Sequence, residues 1–112
     1  MPEPDLLVAR GTPRTYSARR PGPADTGLVI EVAEVSLPGD RADKGRIYAR
    51  GGIGCFWIVN LIDHQVEVYT SPSGPIAAPA YAQRQDYLDG SSVPLILDGT
   101  QIAFIAVQDL LP

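Results

Sequence analysis

The sequence predicts a single α/β domain with a mixed, mostly antiparallel sheet and one principal helix. The chain has 112 residues, which is enough for one small hydrophobic core. Its eleven glycines and eleven prolines indicate short strands joined by many turns, with helix in the minority. One run, residues 28–35 (LVIEVAEV), is apolar enough for a strand that is covered on both faces.

A glutamate lies in the middle of this central strand. Alternation places Glu31 on the same face as Val29 and Ala33, and both faces of the strand are mostly apolar, so we expect its carboxylate to be buried. A buried, ionised carboxylate costs several kcal/mol unless a cation, a metal or hydrogen bonds compensate. Two partners are candidates: Lys44, and a metal ion that Glu31 shares with Asp5.

The chain before the central strand predicts one short strand and one long loop. The strand is the apolar run of residues 5–9 (DLLVA), and the loop is residues 11–26, which are rich in proline, glycine and arginine. A sixteen-residue loop is longer than compact domains usually contain without a function. Its arginines Arg14, Arg19 and Arg20 either contact nucleic-acid phosphates or are exposed charges of an insertion, and the sequence leaves both interpretations open.

The principal helix is predicted over residues 41–50 (RADKGRIYAR). Asp40 is its expected N-cap, and Gly51-Gly52 end it. The side chains that share one face by i, i+3, i+4 spacing are Lys44, Ile47 and Tyr48. Lys44 is therefore on the face best suited to burial. The alternative is a surface ion pair between Asp40 and Lys44, which would contribute only a few tenths of a kcal/mol.

The second half of the chain predicts short strands separated by turns. An uninterrupted apolar run, residues 55–61, indicates a strand central in the sheet, in which Cys55 is a small buried hydrophobe rather than a nucleophile. Asp63-His64 make a turn, and His64 is a turn residue because no second histidine or cysteine lies near it. Residues 65–70 alternate like the second arm of a hairpin. Further strands are expected within 78–87, at 93–97 and at 101–105, followed by one helical turn at 107–111.

Cysteine content and hydropathy place the chain in the cytoplasm. A single cysteine excludes an internal disulfide, which fits a reducing compartment. No stretch approaches the ~20 apolar residues of a membrane span. The first residues, Met-Pro-Glu-Pro-Asp, lack the basic and apolar regions of a signal peptide.

The charge of the chain is unevenly distributed. The net charge of −4 argues against broad nucleic-acid binding. Residues 10–50, however, hold eight of the nine basic side chains against five acidic ones. This basic part surrounds Glu31 in the sequence. Either this region binds a polyanion whose phosphate is held through a metal, or it is a solvated surface with scattered arginines.

Two acids on adjacent strands followed by a lysine are typical of metal-dependent phosphodiester hydrolysis. Carboxylates are hard oxygen ligands for Mg²⁺. The metal lowers the pKa of bound water and offsets charge that develops on the phosphate. A nearby ammonium helps to orient or deprotonate that water. Asp5, Glu31 and Lys44 have these residue types in this order.

The ordered motifs of the chain resemble the Uma-two family of restriction endonucleases, within the PD-(D/E)XK nuclease superfamily. The resemblance runs through nearly the whole chain to Asp109-Leu110-Leu111. It rests on Pro4-Asp5, Leu28-Val29-Ile30-Glu31-Val32, Asp40-Arg41, Lys44, Ile47-Tyr48-Ala49, Gly52-Ile53, Phe56-Trp57-Ile58-Val59 and Val66-Glu67-Val68-Tyr69.

The resemblance implies a restriction-endonuclease-like core, DNA as partner and Mg²⁺ (or Mn²⁺) as cofactor. Asp5 and Glu31 match the two metal-binding acids. The motif's lysine usually stands two residues after the second acid, where this chain has Ala33. In the Uma-type pattern the lysine is displaced onto the following helix, and Lys44 occupies that position.

The chain departs from the family pattern in two places. Family members usually have several dozen residues before the Pro-Asp pair, so residues 1–112 resemble the C-terminal two-thirds of the domain, and we expect a single, N-terminally truncated domain. Apolar sheet surface would then be exposed, which favours a homodimer or a partner chain that covers it. Gly54-Cys55 stand where the family commonly has a Pro-Glu pair.

Three functional hypotheses follow from these observations. The first is a metal-dependent endonuclease that uses Asp5, Glu31 and Lys44. The second is a truncated, catalytically silent domain that acts as a binding or assembly module. The third treats Glu31 and Lys44 as a purely structural buried pair.

Overall fold

The computed structural model describes residues 5–9, 26–33, 43–97 and 99–111. Seven strands and two short helices follow one another along these segments. Their bounds are β1 Leu6–Ala9, β2 Thr26–Ala33, α1 Gly45–Arg50, β3 Cys55–Asn60, β4 Gln65–Pro72, β5 Tyr81–Leu88, β6 Ser92–Leu97, β7 Thr100–Ala106 and α2 Val107–Leu110.

The first five strands form one mixed sheet in the order β1-β2-β3-β4-β5. β2 and β3 are parallel, whereas the β1–β2, β3–β4 and β4–β5 pairs are antiparallel. β6 and β7 form a separate antiparallel hairpin. The predicted fold class, a mixed and mostly antiparallel sheet with few helices, is confirmed. β3 is the middle strand, as its uninterrupted apolar sequence predicted.

The sheet is covered on both faces, which explains why β3 is buried along its whole length. On one face the β6–β7 hairpin and α2 cover the side chains of Leu28, Ile30, Cys55, Trp57, Val59 and Val66, together with Val93 and Val107 from the covering elements. On the other face α1 and the turn after it cover Val29, Ala33, Phe56 and Ile58 with Tyr48 and Ile53. Parallel strands need a crossover connection, and α1 lies within the connection between β2 and β3.

The principal helix is shorter than predicted among the residues that the structure describes. Its regular α-helical part begins at Gly45, and residues 43–44 form a wider π-type turn before it. The helix ends at Gly51-Gly52 as expected. Gly52 has a φ of 72°, a left-handed conformation that glycine adopts without steric cost. The predicted cap, Asp40, lies outside the described residues.

The expectation for Ile47 was wrong, because its side chain is 42% exposed. The buried side of α1 is formed by Gly45, Tyr48 and Ala49. On a helix with 100° between successive residues, Ile47 lies beyond the edge of this buried arc. Gly45 lies in the arc because α1 approaches the sheet closely there; a Cβ at this position would be 3.8 Å from the Phe56 ring.

The remaining elements agree with the sequence. Strands form at β4, β5, β6 and β7, and residues 107–110 make one helical turn. His64 lies exposed in the β3–β4 turn with a φ of 55°. Cys55 is buried and has no disulfide partner. Of the loop predicted at 11–26, residues 11–25 with Arg14, Arg19 and Arg20 lie outside the described residues, and Thr26 belongs to β2. In the described segments, neither helix has the length and hydropathy to cross a membrane.

We predict that the stability of the protein falls at alkaline pH partly through Cys55. Burial raises the pKa of this thiol from 9.0 to about 11. A folded-state pKa above the unfolded value means that the native state holds the proton more tightly. The contribution is therefore complete below pH 9 and is lost as pH rises towards 11, by at most about 1.4 kcal/mol per pH unit.

Urea unfolding of the parent and of Cys55→Ala at pH 7.5 and pH 10.5 measures this effect. The free energy of unfolding of the parent should fall more between the two pH values than that of the variant. Burial raises the pKa of Tyr81 as well, with a smaller contribution from Cys55, so the difference between the two proteins includes the effect of the thiol on Tyr81. Parallel losses in the two proteins would contradict the prediction.

Candidate active site

The central glutamate of β2 is buried on the face that α1 covers. Glu31 is 1% exposed, and its neighbours on that face, Val29 and Ala33, are buried as well. In the sheet register Glu31 pairs with Ile58 of β3. Its carboxylate therefore lies between the sheet and α1, where hydrogen bonds or a cation must replace the water it has lost.

Two donors from one turn of α1 contact the two oxygens of Glu31. Lys44 Nζ lies 2.5 Å from Oε2, and Tyr48 Oη donates a hydrogen bond of 2.8 Å to Oε1. The four-residue spacing places both side chains on the same side of the helix. The structure thus places Lys44 beside Glu31, as the pattern of buried positions indicated. Tyr48 was placed on the correct face, but its role as a donor to Glu31 was missed.

Asp5 lies at the end of the neighbouring strand. Leu6 of β1 pairs with Ile30 of β2, so Asp5 is one position further along, next to Glu31 in the antiparallel register. Its Oδ2 accepts a hydrogen bond of 2.7 Å from the backbone N–H of Val32. This bond anchors an exposed carboxylate at the point where the β1–β2 ladder ends. Asp5 and Glu31 are thus one exposed and one buried carboxylate on adjacent strands.

The carboxylates of Asp5 and Glu31 are hard oxygen donors, the type of ligand that a divalent cation such as Mg²⁺ prefers. Within the described segments no group of three or more His, Cys, Asp or Glu side chains could hold a metal ion. A site with two carboxylates suits Mg²⁺, which usually keeps several water ligands and takes only one or two carboxylates from the protein. The ammonium beside Glu31 indicates that positive charge is favourable at this position.

A second buried glutamate, Glu67, was missed by the sequence reasoning. It is 0% exposed and pairs with Ile58 from β4, on the side opposite Glu31. The alternation of β4 makes its two valines the buried side chains, so Glu67 seemed to face solvent. Alternation fails here because both faces of the sheet are covered.

The Glu67 carboxylate has a full set of donors. Oε1 accepts a hydrogen bond of 2.7 Å from Tyr69, and Oε2 accepts bonds from Asn60 (2.9 Å) and Gln65 (3.3 Å). The guanidinium of Arg84 lies 3.5 Å from Oε2. A hydrogen bond to Asp86 raises the pKa of Arg84 above its usual value. This network compensates the buried charge and joins β3, β4 and β5.

An aromatic cluster lies on the same face of the sheet as the two glutamates. The Phe56 ring lies 5.1 Å from that of Tyr48 and 5.5 Å from that of Tyr69, measured between centroids. Tyr81 packs against the same ring at 6.0 Å and donates a hydrogen bond to the Ile53 carbonyl. Tyr48 and Tyr69 each donate to a different buried carboxylate. The cluster therefore fixes Tyr48, and with it one oxygen of Glu31.

The exposed side of α1 is basic. Arg46 and Arg50 point away from the core, and Arg46 makes a 3.3 Å contact with Asp43 between exposed side chains. With Ile47, Ile76 and Pro79 they line a groove of about 370 Å³. Lys44 is thus the basic residue of this helix that turns toward the buried carboxylate.

Comparison with known proteins gives a family match over most of the chain. The Uma2 (Uma-two) family model, described as "Putative restriction endonuclease", matches residues 1–105. No curated protein matches the chain.

We predict that Glu67 is a major source of stability. In Glu67→Gln one carboxylate oxygen becomes an amide NH₂ group, which cannot accept the hydrogen bonds that Asn60, Tyr69 and Gln65 donate. Buried donors then lose their acceptor, and the free energy of unfolding should fall by about 2–4 kcal/mol. Asp86→Asn, which changes a partly exposed carboxylate on the adjacent strand, should cost less than about 1 kcal/mol. Urea unfolding of both variants measures the difference. Equal, small losses would show that the network contributes little.

Proposed function

This chain belongs to the Uma2 family of restriction endonucleases, and from that membership we propose that it hydrolyses DNA phosphodiester bonds in a metal-dependent reaction. The observation that supports the proposal is the contact of Lys44 with a buried carboxylate, beside a second acid on the adjacent strand. Glu31 is a buried carboxylate, Lys44 contacts it, and Asp5 lies next to it in the register.

In the proposed site Asp5 and Glu31 hold Mg²⁺ or Mn²⁺. Bound there, the ion would lower the pKa of a water molecule and offset charge on the phosphate. Asp5 is exposed and Glu31 is buried, so an ion held by both would have one ligand at the surface and one in the interior. The hydrogen bond from Val32 and the two donors of α1 hold the carboxylates in place before substrate arrives.

Lys44 is proposed to position the attacking water or to stabilise charge on the phosphate. Its side chain is 33% exposed, so its ammonium reaches solvent as well as Glu31. A long, flexible stem with a compact charge suits both roles. The lysine approaches from α1 instead of from β2, where Ala33 occupies the position two residues after the acid.

DNA is the proposed partner. The basic side chains concentrate in residues 10–50, around the proposed site in the sequence. Arg14, Arg19 and Arg20 are proposed to contact phosphates, a role that carries no sequence information by itself. Arg46 and Arg50, on the exposed side of α1, are proposed as further phosphate contacts.

A specific observation favours a second candidate function. Both oxygens of Glu31 already have donors from α1, as in a pair that serves only stability. In this alternative the chain is a catalytically silent, nuclease-like domain that acts as a binding or assembly module. Ile102 and Phe104 of β7 are 56% and 65% exposed, and a second copy of the chain or another protein could cover them.

The nuclease proposal predicts that DNA cleavage depends on the charged groups of the site. Supercoiled plasmid is incubated with the full chain and Mg²⁺ or Mn²⁺, and nicking is followed on a gel. Glu31→Gln and Lys44→Met should each lower the rate by about 100-fold or more, because the first removes a proposed metal ligand and the second removes the positive charge that acts on the water or the phosphate. Asp86→Asn is the matched surface control. Equal nicking by parent and site variants would refute the assignment.

The proposal also predicts that divalent metal stabilises the native state. An ion that binds only the folded chain adds about 2.7 kcal/mol at one hundred times its Kd. Thermal unfolding with and without Mn²⁺ should therefore show a higher Tm for the parent with metal. Asp5→Asn and Glu31→Gln should lose this shift. An unchanged Tm in the parent would favour the silent domain.

A further inference from the structure

The two donors to Glu31 differ sharply in their burial. Tyr48 is 0% exposed, and its ring packs against Phe56 within the core. Lys44 stands at the N-cap position of α1, and its side chain is one-third exposed on a stem of four methylene groups. The contact to Oε1 therefore comes from a side chain enclosed in the core, whereas the contact to Oε2 comes from a side chain that reaches solvent.

We propose that Tyr48 is a positioning residue that holds Oε1 of Glu31, while Lys44 and a divalent cation compete for Oε2. This inference rests on the proposed function, which supplies the cation. Two positive charges at one carboxylate oxygen repel each other strongly in a partly buried site. A cation held at Oε2 would therefore displace the Lys44 ammonium, which would then act on the substrate phosphate.

Tyr48 prevents the carboxylate from turning with the departing lysine. A metal ligand is usually oriented by a second hydrogen bond from a neighbouring group, and removal of such a bond typically lowers metal affinity about 10–100-fold. The 2.8 Å bond from Tyr48 has the geometry for this role. Without metal, Lys44 supplies the compensating charge, so the buried carboxylate is paired in both states.

The test is the affinity of the full chain for Mn²⁺ without DNA, measured by isothermal titration calorimetry. Tyr48→Phe removes only the hydroxyl group and should weaken binding about tenfold or more. Lys44→Met removes the competing charge and retains the bulk of the stem, and it should bind Mn²⁺ several-fold more tightly than the parent. Glu31→Gln should abolish Mn²⁺ binding, both in the parent and when it is combined with Lys44→Met.

Tyr69→Phe is the matched control for the hydroxyl deletion. It removes the corresponding bond to Glu67 from the same aromatic cluster, 2.7 Å long, and leaves Glu31 untouched. Its Mn²⁺ affinity should equal that of the parent. A role for Tyr48 in stability alone would make the two tyrosine variants alike.

Two results overturn the inference: Lys44→Met that binds Mn²⁺ no more tightly than the parent, or equal affinities in Tyr48→Phe and Tyr69→Phe. These results are distinguishable from failure of the proposed function. A chain with the expected order of affinities that does not nick DNA overturns the nuclease assignment only. A parent chain that nicks DNA but binds Mn²⁺ no more tightly than its Tyr48→Phe variant overturns this inference only.

Discussion

The burial of the Glu31 carboxylate is the constraint on which the arrangement of this domain depends. Removing an ionised carboxylate from water costs several kcal/mol, and a helix that brings a cation and a hydroxyl group offsets this cost. α1 has only six residues, too few to be stable in isolation. The packing of Tyr48 and Ala49 and the two contacts to Glu31 therefore hold the helix on the sheet, so the site and the docking of α1 are one set of interactions.

The two buried glutamates show how similar surroundings serve different purposes. Glu31 and Glu67 flank Ile58 on the same face of the sheet, and each accepts a bond from a tyrosine that packs on Phe56. Glu67 is completed by side chains of the sheet itself, which suits a fixed structural role. Glu31 is completed by a lysine and a tyrosine from the helix that packs on the sheet, not from the sheet itself.

Under the proposed nuclease function this difference would have a functional meaning. A nuclease-like site needs carboxylates that are rigid enough to define a metal position and accessible enough to admit the ion. The hydrogen bond from Val32 to Asp5 and the hydroxyl of Tyr48 provide rigidity, while the exposure of Asp5 and of the Lys44 stem provides access. A buried charge of this kind lowers stability relative to an apolar core, which is why such groups are candidates for function.

The sequence by itself determined the order of the strands along the chain, the end of α1 at Gly51-Gly52 and the burial of Glu31, because apolar runs and glycines act locally. It also determined that a cation should lie near Glu31, with Lys44 as a candidate. Only the tertiary structure decided that Tyr48 donates to Glu31, that Ile47 is exposed and that Glu67 is buried. Each of these depends on which elements cover each face of the sheet, and that is set by contacts between residues far apart in the chain, which periodicity along one strand or helix cannot encode.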